Sequence, residues 1–377
     1  MPPEQAENTI YDVAVVGAGL MGACTAWALA RRGLRAVVLE QFQPGHPSGS
    51  SHGSSRIFRR VYPDPFYVEL TARASDSWQR LEDDTGVTLR TFTGAVDHGA
   101  GREPRRLASL LSDQSVPHQL LSAAEAQERW PHMAFDTDVL YHPDAGVLDA
   151  DLAVRSALAR ARADGADVYL DTRVTEVAPG HYGVLVRAAN ATGEMSFNVR
   201  HVVLAAGAWN QRLMPNLLGP AAPRLSVTQQ QVVHFPQREP VEDWPVMVHQ
   251  DEFFVFGMPA GAAAPGAIKL GEHDRGTATT AESRDGFVDP RCIDRLVNYV
   301  ERFLPSLVPE PFQALSCLYT STPTEDFVID ADGPIIVCSP CSGHGAKFAA
   351  YTGELVAEIA TGTGNPPERF TLRRHSR

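Results

Sequence analysis

The chain has 377 residues, 44% hydrophobic and 21% charged, the composition of an ordinary folded globule with an ample core. Its 33 Lys and Arg stand against 45 Asp and Glu, a formal net charge of -12, and basic residues occur only in short groups such as Arg59-Arg60. That balance excludes nucleic acid and anionic membrane surfaces as partners. Thirty-one of the cations are Arg; only Lys269 and Lys347 are Lys. Lysine is a compact charge whose pKa burial can tune, so these two are candidates for positions that need an ammonium, chance surface placement being the alternative. Five cysteines make no disulfide framework and fit a reducing cytoplasm. The length allows two domains or one large α/β domain.

Val13 to Ala30 is an uncharged run of 18 residues, enough to raise the question of a membrane span. It contains Gly17, Gly19 and Gly22, and the acidic MPPEQAENTIYD before it lacks the positive region of a signal peptide. The run is better explained as a buried strand, a glycine turn and a buried helix. The strand covers 12–16, the helix passes through Trp27 and Leu29 to Arg32, Gly33 ends it, and a second strand, 34–39, closes on Glu40. Strand, GxGxxG, helix, strand and acid together form the unit that holds the ADP half of a dinucleotide, the pyrophosphate on the helix N-terminus and a ribose hydroxyl on Glu40. The motif does not separate FAD from NAD.

A Gly/Ser/Pro/His-rich loop, 43–55, follows where ligand loops of such folds lie, and leads into Arg56-Ile57-Phe58-Arg59-Arg60. Helices are predicted at 66–83, 103–112 and 123–129, the last with Ser122 and Glu125 spaced as a capping box. A helix at 150–164, capped by Asp149 and ended by Gly165, precedes short strands at 166–170, 173–177 and 183–188. His201 to Ala206 is a buried strand ending in Gly207. Strands dominate 226–274, a helix covers 290–304, strands recur at 313–338, and the last helix runs from about Gly345 to Ile359. Cys338-Ser339-Pro340-Cys341 reads as CxxC, but no second pair or ligand cluster supports zinc, and two packed thiols are expected. No metal site is predicted.

Several pieces together resemble the sarcosine oxidase and N-methyltryptophan oxidase group of the D-amino-acid-oxidase-like flavoproteins. They are Gly17 to Gly22 with Glu40; the loop Ser51-His52-Gly53-Ser54-Ser55-Arg56-Ile57-Phe58-Arg59-Arg60-Val61-Tyr62; Ala206-Gly207-Ala208-Trp209; Lys269-Leu270-Gly271-Glu272-His273; Ser316-Cys317-Leu318-Tyr319-Thr320 with Thr322-Pro323; and Ser342-Gly343-His344-Gly345-Ala346-Lys347-Phe348. The likeness spans nearly the whole chain in order. It implies an α/β fold in which a Rossmann-like FAD-binding domain, made of 1–90, 150–225 and 320–377, is interleaved with a sheet-rich α+β substrate domain of 91–149 and 226–319. The site lies between them.

The resemblance also implies roles. Gly17, Gly19, Gly22, Glu40, Ser51, His52, Arg56, Val174, Gly207, Trp209, Gly343, His344, Gly345 and Lys347 contact FAD, and Cys317 carries it covalently through the 8α carbon. Attachment needs a thiolate, so nearby cations are expected to lower the Cys317 pKa. Arg56 and His52 line the flavin and supply positive charge. Arg59 and Lys347 receive the substrate carboxylate, a planar two-pronged donor beside a point charge. Lys269 is held against the flavin where oxygen is reduced, a cation for the charge that develops there. His273, four residues on, shares its face in a strand, and Tyr319 walls the amine pocket. Phe256 stands where sarcosine oxidases place a tyrosine, and Ala260 to Gly266 is a longer, Ala/Gly/Pro-rich hairpin. Both are expected on the substrate side, and both put sarcosine itself in doubt.

The expected activity is oxidation of the C–N bond of an N-methyl or cyclic amino acid to an imine, with oxygen reduced to hydrogen peroxide, in a cytoplasmic monomer or weak homodimer. The alternatives are a dehydrogenase of the same fold with another acceptor, a biosynthetic oxidase of a cyclic imino acid, an NAD enzyme judged on the glycine motif alone, and a flavin-binding sensor or partner subunit.

Overall fold

Val13, Ala14, Val15 and Val16 are apolar on both faces of their strand, the pattern of a parallel sheet covered on both sides. In the computed structural model, which describes residues 10–181, 183–273 and 275–376, the strand Ile10–Val16 pairs in parallel with Ala36–Leu39 on one side and Gly193–Leu204 on the other. Asp167–Tyr169 and Ile335–Ser339 extend this parallel core, and Val328–Asp332 returns antiparallel. Arg173–Gly180 and Gly183–Asn190 form an antiparallel meander on the first half of Gly193–Leu204. The eight strands form an α/β sheet.

The helix Leu20–Arg31 is buried nearly all round, which explains the uncharged run without a membrane. It packs against Ala349–Thr361 so closely that a Cβ on Gly353 would lie 2.4 Å from the Cys24 carbonyl oxygen. Among the described residues no helix is long and apolar enough to cross a membrane. The predicted last helix proves to be two pieces, a 3-10 turn Gly345–Phe348 and then the α-helix Ala349–Thr361. The capping box of Ser122 and Glu125 is formed as predicted.

A second sheet of nine strands is drawn from residues 95–142 and 226–321. Its hub, Ser226–Pro236, pairs with Gln313–Ser321 on one edge and with Ala267–Glu272 and Thr277–Thr279 on the other. The period of two along a strand gives this sheet two characters. Val233, Phe235, Met247, Val255, Ile268 and Leu270 join a core with Leu296, Tyr299, Val300 and Phe303 of the helix Pro290–Phe303. The alternate residues, among them Val232, His234, Val248, Phe256, Lys269 and Cys317, face a cavity. A small three-stranded sheet, Arg56–Phe58 with Gly146–Leu148 and Arg90–Phe92, completes the β-structure.

Candidate active site

The cavity has a volume of about 750 Å3, within the roughly 300–1,000 Å3 of ligand sites. Of the predicted site residues, all but Gly22 line it. Gly22 serves packing instead: a Cβ there would lie 1.8 Å from the Gly17 carbonyl oxygen, so glycine lets the helix seat on the turn.

At the nucleotide end, Gly17 takes φ +98, and a Cβ on it would come 2.7 Å from the Ala205 carbonyl oxygen. The helix Leu20–Arg31 starts at Gly19 without a side-chain cap of its own, though Ser51 Oγ accepts from the Leu20 N–H at 2.9 Å. Glu40 is buried and accepts from the Ala18 and Phe42 N–H groups at 2.6 and 3.0 Å. A carboxylate has about four lone-pair positions, so two remain for ribose hydroxyls. Val174, Gly207 and Trp209 border the same end, Trp209 lying 5.8 Å from the Phe42 ring.

Arg56 organises the loop that covers the middle of the cavity. Its guanidinium donates to the carbonyls of Ser50, His52 and Ser55 at 2.7–2.8 Å. Lys269, 6% exposed, donates from Nζ to the Ser55 carbonyl at 2.6 Å. Burial, then the Arg56 charge, pulls its pKa well below that of an ordinary lysine, so its proton is held less tightly than expected of a fixed cation. His52 was expected to add positive charge. Burial and the charges of Arg56, Arg284 and Lys269 instead push its pKa down to about 4, leaving a neutral ring whose Nε2 is buried with no hydrogen-bond partner among the described residues.

Cys317 differs from expectation in the same way. Arg56 and Lys269 do favour its thiolate, but burial outweighs them and the thiol is pushed up. Cys338 is packed in the core, its thiol pushed up to about 12 by burial; Cys341 Sγ, facing the cavity, accepts from the Thr320 N–H at 3.3 Å. The Ala260–Gly266 hairpin is seated on Ser54, whose Oγ donates to the Ala260 carbonyl and accepts from the Ala263 N–H. It therefore lies one residue from the carbonyl that holds Lys269.

At the other end, Arg59 and Lys347 are brought together as predicted residues of one cavity. Burial and the Arg59 charge pull the Lys347 pKa well down; Arg59 itself is lowered by burial and by Arg102. Lys347 Nζ donates to Tyr62 Oη and to the His344 carbonyl, both at 2.9 Å. His344 lies 3.0 Å through Nε2 from the Glu325 carbonyl, which only accepts, so Nε2 carries the proton and Nδ1 accepts from the Tyr62 hydroxyl at 3.1 Å. Its pKa, about 3 through burial and then Lys347, keeps that ring neutral. Phe254 and Phe256, two apart on one strand, face the cavity with His273 and Tyr319; His273 stands just past the end of the strand Ala267–Glu272. The Tyr319 ring fits because Gly343, at φ +74, has no Cβ, which would lie 2.4 Å from it.

Two parts of this end were missed in the sequence. Tyr62 was visible only as a motif letter, and Arg102 and Asp97 carried no signal. Asp97, fully buried, accepts from Arg102 Nε at 2.6 Å and lies 3.8 Å from Arg59 Nη1. The pair therefore sets the charge around Arg59.

An α/β fold with a dinucleotide cradle beside a cavity lined by arginine and lysine side chains defines a nucleotide-dependent redox enzyme. The family model of FAD dependent oxidoreductases, DAO, matches residues 12–359, and the chain belongs to that family. It is an FAD-dependent oxidoreductase. It is 32% identical to the monomeric sarcosine oxidase of Streptomyces avermitilis, covering 97% of each chain, and 32% identical to the peroxisomal sarcosine oxidase of Homo sapiens, covering 94% and 93%. The N-methyl-L-tryptophan oxidase of Yersinia pestis is 27% identical over 97% of this chain and 99% of that protein. In fold it is similar to NikD, an amino acid oxidase of nikkomycin biosynthesis, with a TM-score of 0.83 at 24% identity over 96% of both chains. A likeness to the L-proline dehydrogenase of P. horikoshii has a TM-score of 0.82 at 21% identity over 97% of both. The residues present fit FAD: a glycine turn with no room for a Cβ, a helix N-terminus without its own side-chain cap, and, among the described residues, a buried His52 nitrogen without a hydrogen-bond partner.

Proposed function

We propose that the chain oxidises the C–N bond of a secondary amino acid, N-methylated or cyclic, to an imine, with molecular oxygen reduced to hydrogen peroxide. The observation that supports it most is one cavity holding Arg59, half-buried, and Lys347, buried, for a carboxylate, and a separate buried lysine, Lys269, for oxygen. The aromatic wall of Phe254, Phe256 and Tyr319 suits a ring or side chain larger than that of sarcosine. Bound FAD would supply the electron chemistry, taking a hydride equivalent and returning electrons to oxygen. The glycine turn and Glu40 would hold its ADP half, and Cys317 would bond to it covalently. In this reading segments 1–90, 150–225 and 320–377 hold the nucleotide and 91–149 and 226–319 the substrate. Five free cysteines fit a reducing compartment, which we take to be the cytoplasm.

The protein's own part is placement and proton control. Arg59 and Lys347 orient the carboxylate. Lys347, with its pKa pulled down, takes a proton from the substrate ammonium at Nζ and leaves the neutral amine that oxidation requires. The resulting ammonium pairs with the carboxylate, and the carboxylate charge raises the lysine's proton affinity. Tyr62 and His344 hold Nζ in position.

An anaerobic screen of N-methyl and cyclic amino acids for flavin bleaching tests the reading, with oxygen consumption measured on any compound that bleaches. Bleaching without oxygen uptake would turn it into a dehydrogenase, and no bleaching by any amino acid would remove the enzymatic reading. A carboxylate inhibitor lacking an amine should bind wild type with net proton uptake, seen by calorimetry in buffers of different ionisation enthalpy. Lys347→Met should abolish the uptake and weaken binding roughly tenfold to a hundredfold, the range of a hydrogen bond to a charged group. Uptake that survives in the variant would move the proton elsewhere.

A further inference from the structure

A guanidinium has five N–H donors, and at Arg102 a single carboxylate occupies one of them. Arg102 is 7% exposed and lines the cavity at its substrate end. Among the described residues its one hydrogen bond runs from Nε to Asp97 Oδ1, and Nη2 is buried without a partner. A buried arginine with a structural task looks different in this chain. Arg90, 4% exposed, uses Nε, Nη1 and Nη2 together on Glu82, Ser75 and Gln79. Buried polar groups in native proteins are nearly all satisfied, so the open side of Arg102 requires an account.

The backbone holds this side chain in place. Arg102 ends the 3-10 turn Ala100–Arg102, which follows the strand Ala95–His98 and lies on the neighbouring strand Val246–Gln250. Glycine permits the close approach: a Cβ on Gly99, at φ +98, would lie 2.4 Å from the Gln250 carbonyl oxygen. The Gly99 N–H donates to Thr137 Oγ1 at 2.9 Å and the Gly101 N–H to Asp251 Oδ1 at 3.1 Å. Glu103, the next residue, takes the left-handed conformation at φ +55 although it is no glycine. Strained backbone of this kind clusters at ligand-binding sites.

Charge around the turn is unbalanced. Asp97 Oδ1 lies 2.6 Å from Arg102 Nε and 3.8 Å from Arg59 Nη1, so one carboxylate faces two guanidiniums. His142 Nε2 is 3.8 Å from Asp97 Oδ2, but burial pushes its pKa down to about 4 and the ring adds no charge. Arg60 has its own partner in Asp144, Asp64 and Asp326 are engaged by Arg369, and Glu272 by Arg295. An amino acid with one carboxylate enters as a zwitterion and leaves the extra positive charge as it was. An amino acid with two carboxylates cancels it.

We propose that Arg102 binds a second acid group of the substrate, so that the secondary amino acid oxidised here is an amino dicarboxylate, N-methylated or cyclic. The inference rests on the activity proposed above and names its substrate class. Arg59 and Lys347 take the α-carboxylate, and Arg102 takes the side-chain carboxylate with the amino groups that Asp97 leaves unused, a planar two-pronged fit. Asp97, Val248 and Phe256 are successive register partners on three adjacent strands. Two strand spacings, about 10 Å, therefore separate the Asp97 end from the aromatic wall. A short acidic side chain laid over Val248 crosses that span.

Ligand binding to the oxidised holoenzyme tests this without turnover, and so independently of the bleaching screen. Glutarate and its monoamide, glutaramate, match in size and differ in one charge. Calorimetry should find glutarate bound roughly tenfold to a hundredfold more tightly, the range of a hydrogen bond to a charged group. Arg102→Gln should abolish that preference, and with it the kcat/KM advantage of N-methylglutamate over N-methylglutamine. The single change leaves Asp97 buried and unpaired, so Asp97→Asn combined with Arg102→Gln takes its place if the chain fails to fold. Equal wild-type affinity for the two acids would overturn the proposal. So would a preference that survives in the variant, because an arginine that only positions Arg59 would weaken both ligands alike. A glutarate preference without bleaching by any amino acid would keep the anion site and overturn the oxidation.

Discussion

Lys269→Met is expected to slow the reaction of reduced enzyme with oxygen roughly a hundredfold to a thousandfold, the cost of removing one preorganised charge-stabilising donor. Anaerobic reduction by substrate should change far less. Methionine keeps the length and apolar stem of the lysine in the strand Ala267–Glu272, and Arg59 and Lys347 are untouched. The lost group is the Nζ that Ser55 holds in place. The wild-type pH profile gives a second readout. Because the folded pKa is lowered, the ammonium is lost as pH rises through a value below the ordinary lysine pKa of about 10.4. Oxygen reactivity should therefore decline on that limb, and the Met variant should lack the decline. Equal slowing of both half-reactions would take Lys269 out of the oxygen step.

Cys317→Ser is expected to leave a chain that binds FAD but releases all of it on denaturation, where wild type retains the flavin through acid precipitation. A serine hydroxyl has almost no nucleophilic anion near neutral pH, whereas a thiol has some. Burial pushes the Cys317 thiol up despite Arg56 and Lys269, so the thiolate is scarce. Attachment of FAD to apoprotein should thus speed up about tenfold per pH unit below the thiol pKa. That slope is measured by the fraction of flavin left on the precipitated chain over time. Flavin that stays with the serine variant would sink the assignment of Cys317, and an attachment rate flat in pH would sink the role of its thiolate.

The nucleotide end was legible along the chain because its signals are local. A glycine turn, an apolar strand before it, a mostly apolar helix after it and an acid closing the next strand lie within 30 residues, and each is a matter of backbone freedom or side-chain period. The resemblance added Cys317, Lys269, Arg59 and Lys347, all facing one cavity. What it missed has no local mark. Arg102 follows a glycine turn in no motif, and its importance comes from Asp97 and Arg59, residues brought beside it by two sheets.

Charge state is where the chain order and the folded molecule part most clearly. Residue types and spacing established a dinucleotide-binding unit, and the resemblance added FAD and many of the side chains that line the cavity. Whether those side chains are charged was settled by burial. His52 is neutral, the Cys317 thiol is pushed up, and both lysines hold their protons loosely, because strands from distant segments exclude water around them. Desolvation depends on everything packed within a few ångströms, whatever its place in the chain, and no pattern of neighbours in sequence encodes it. The two lysines illustrate both halves of this: their rarity marked them out, and their enclosure decides what chemistry they can do.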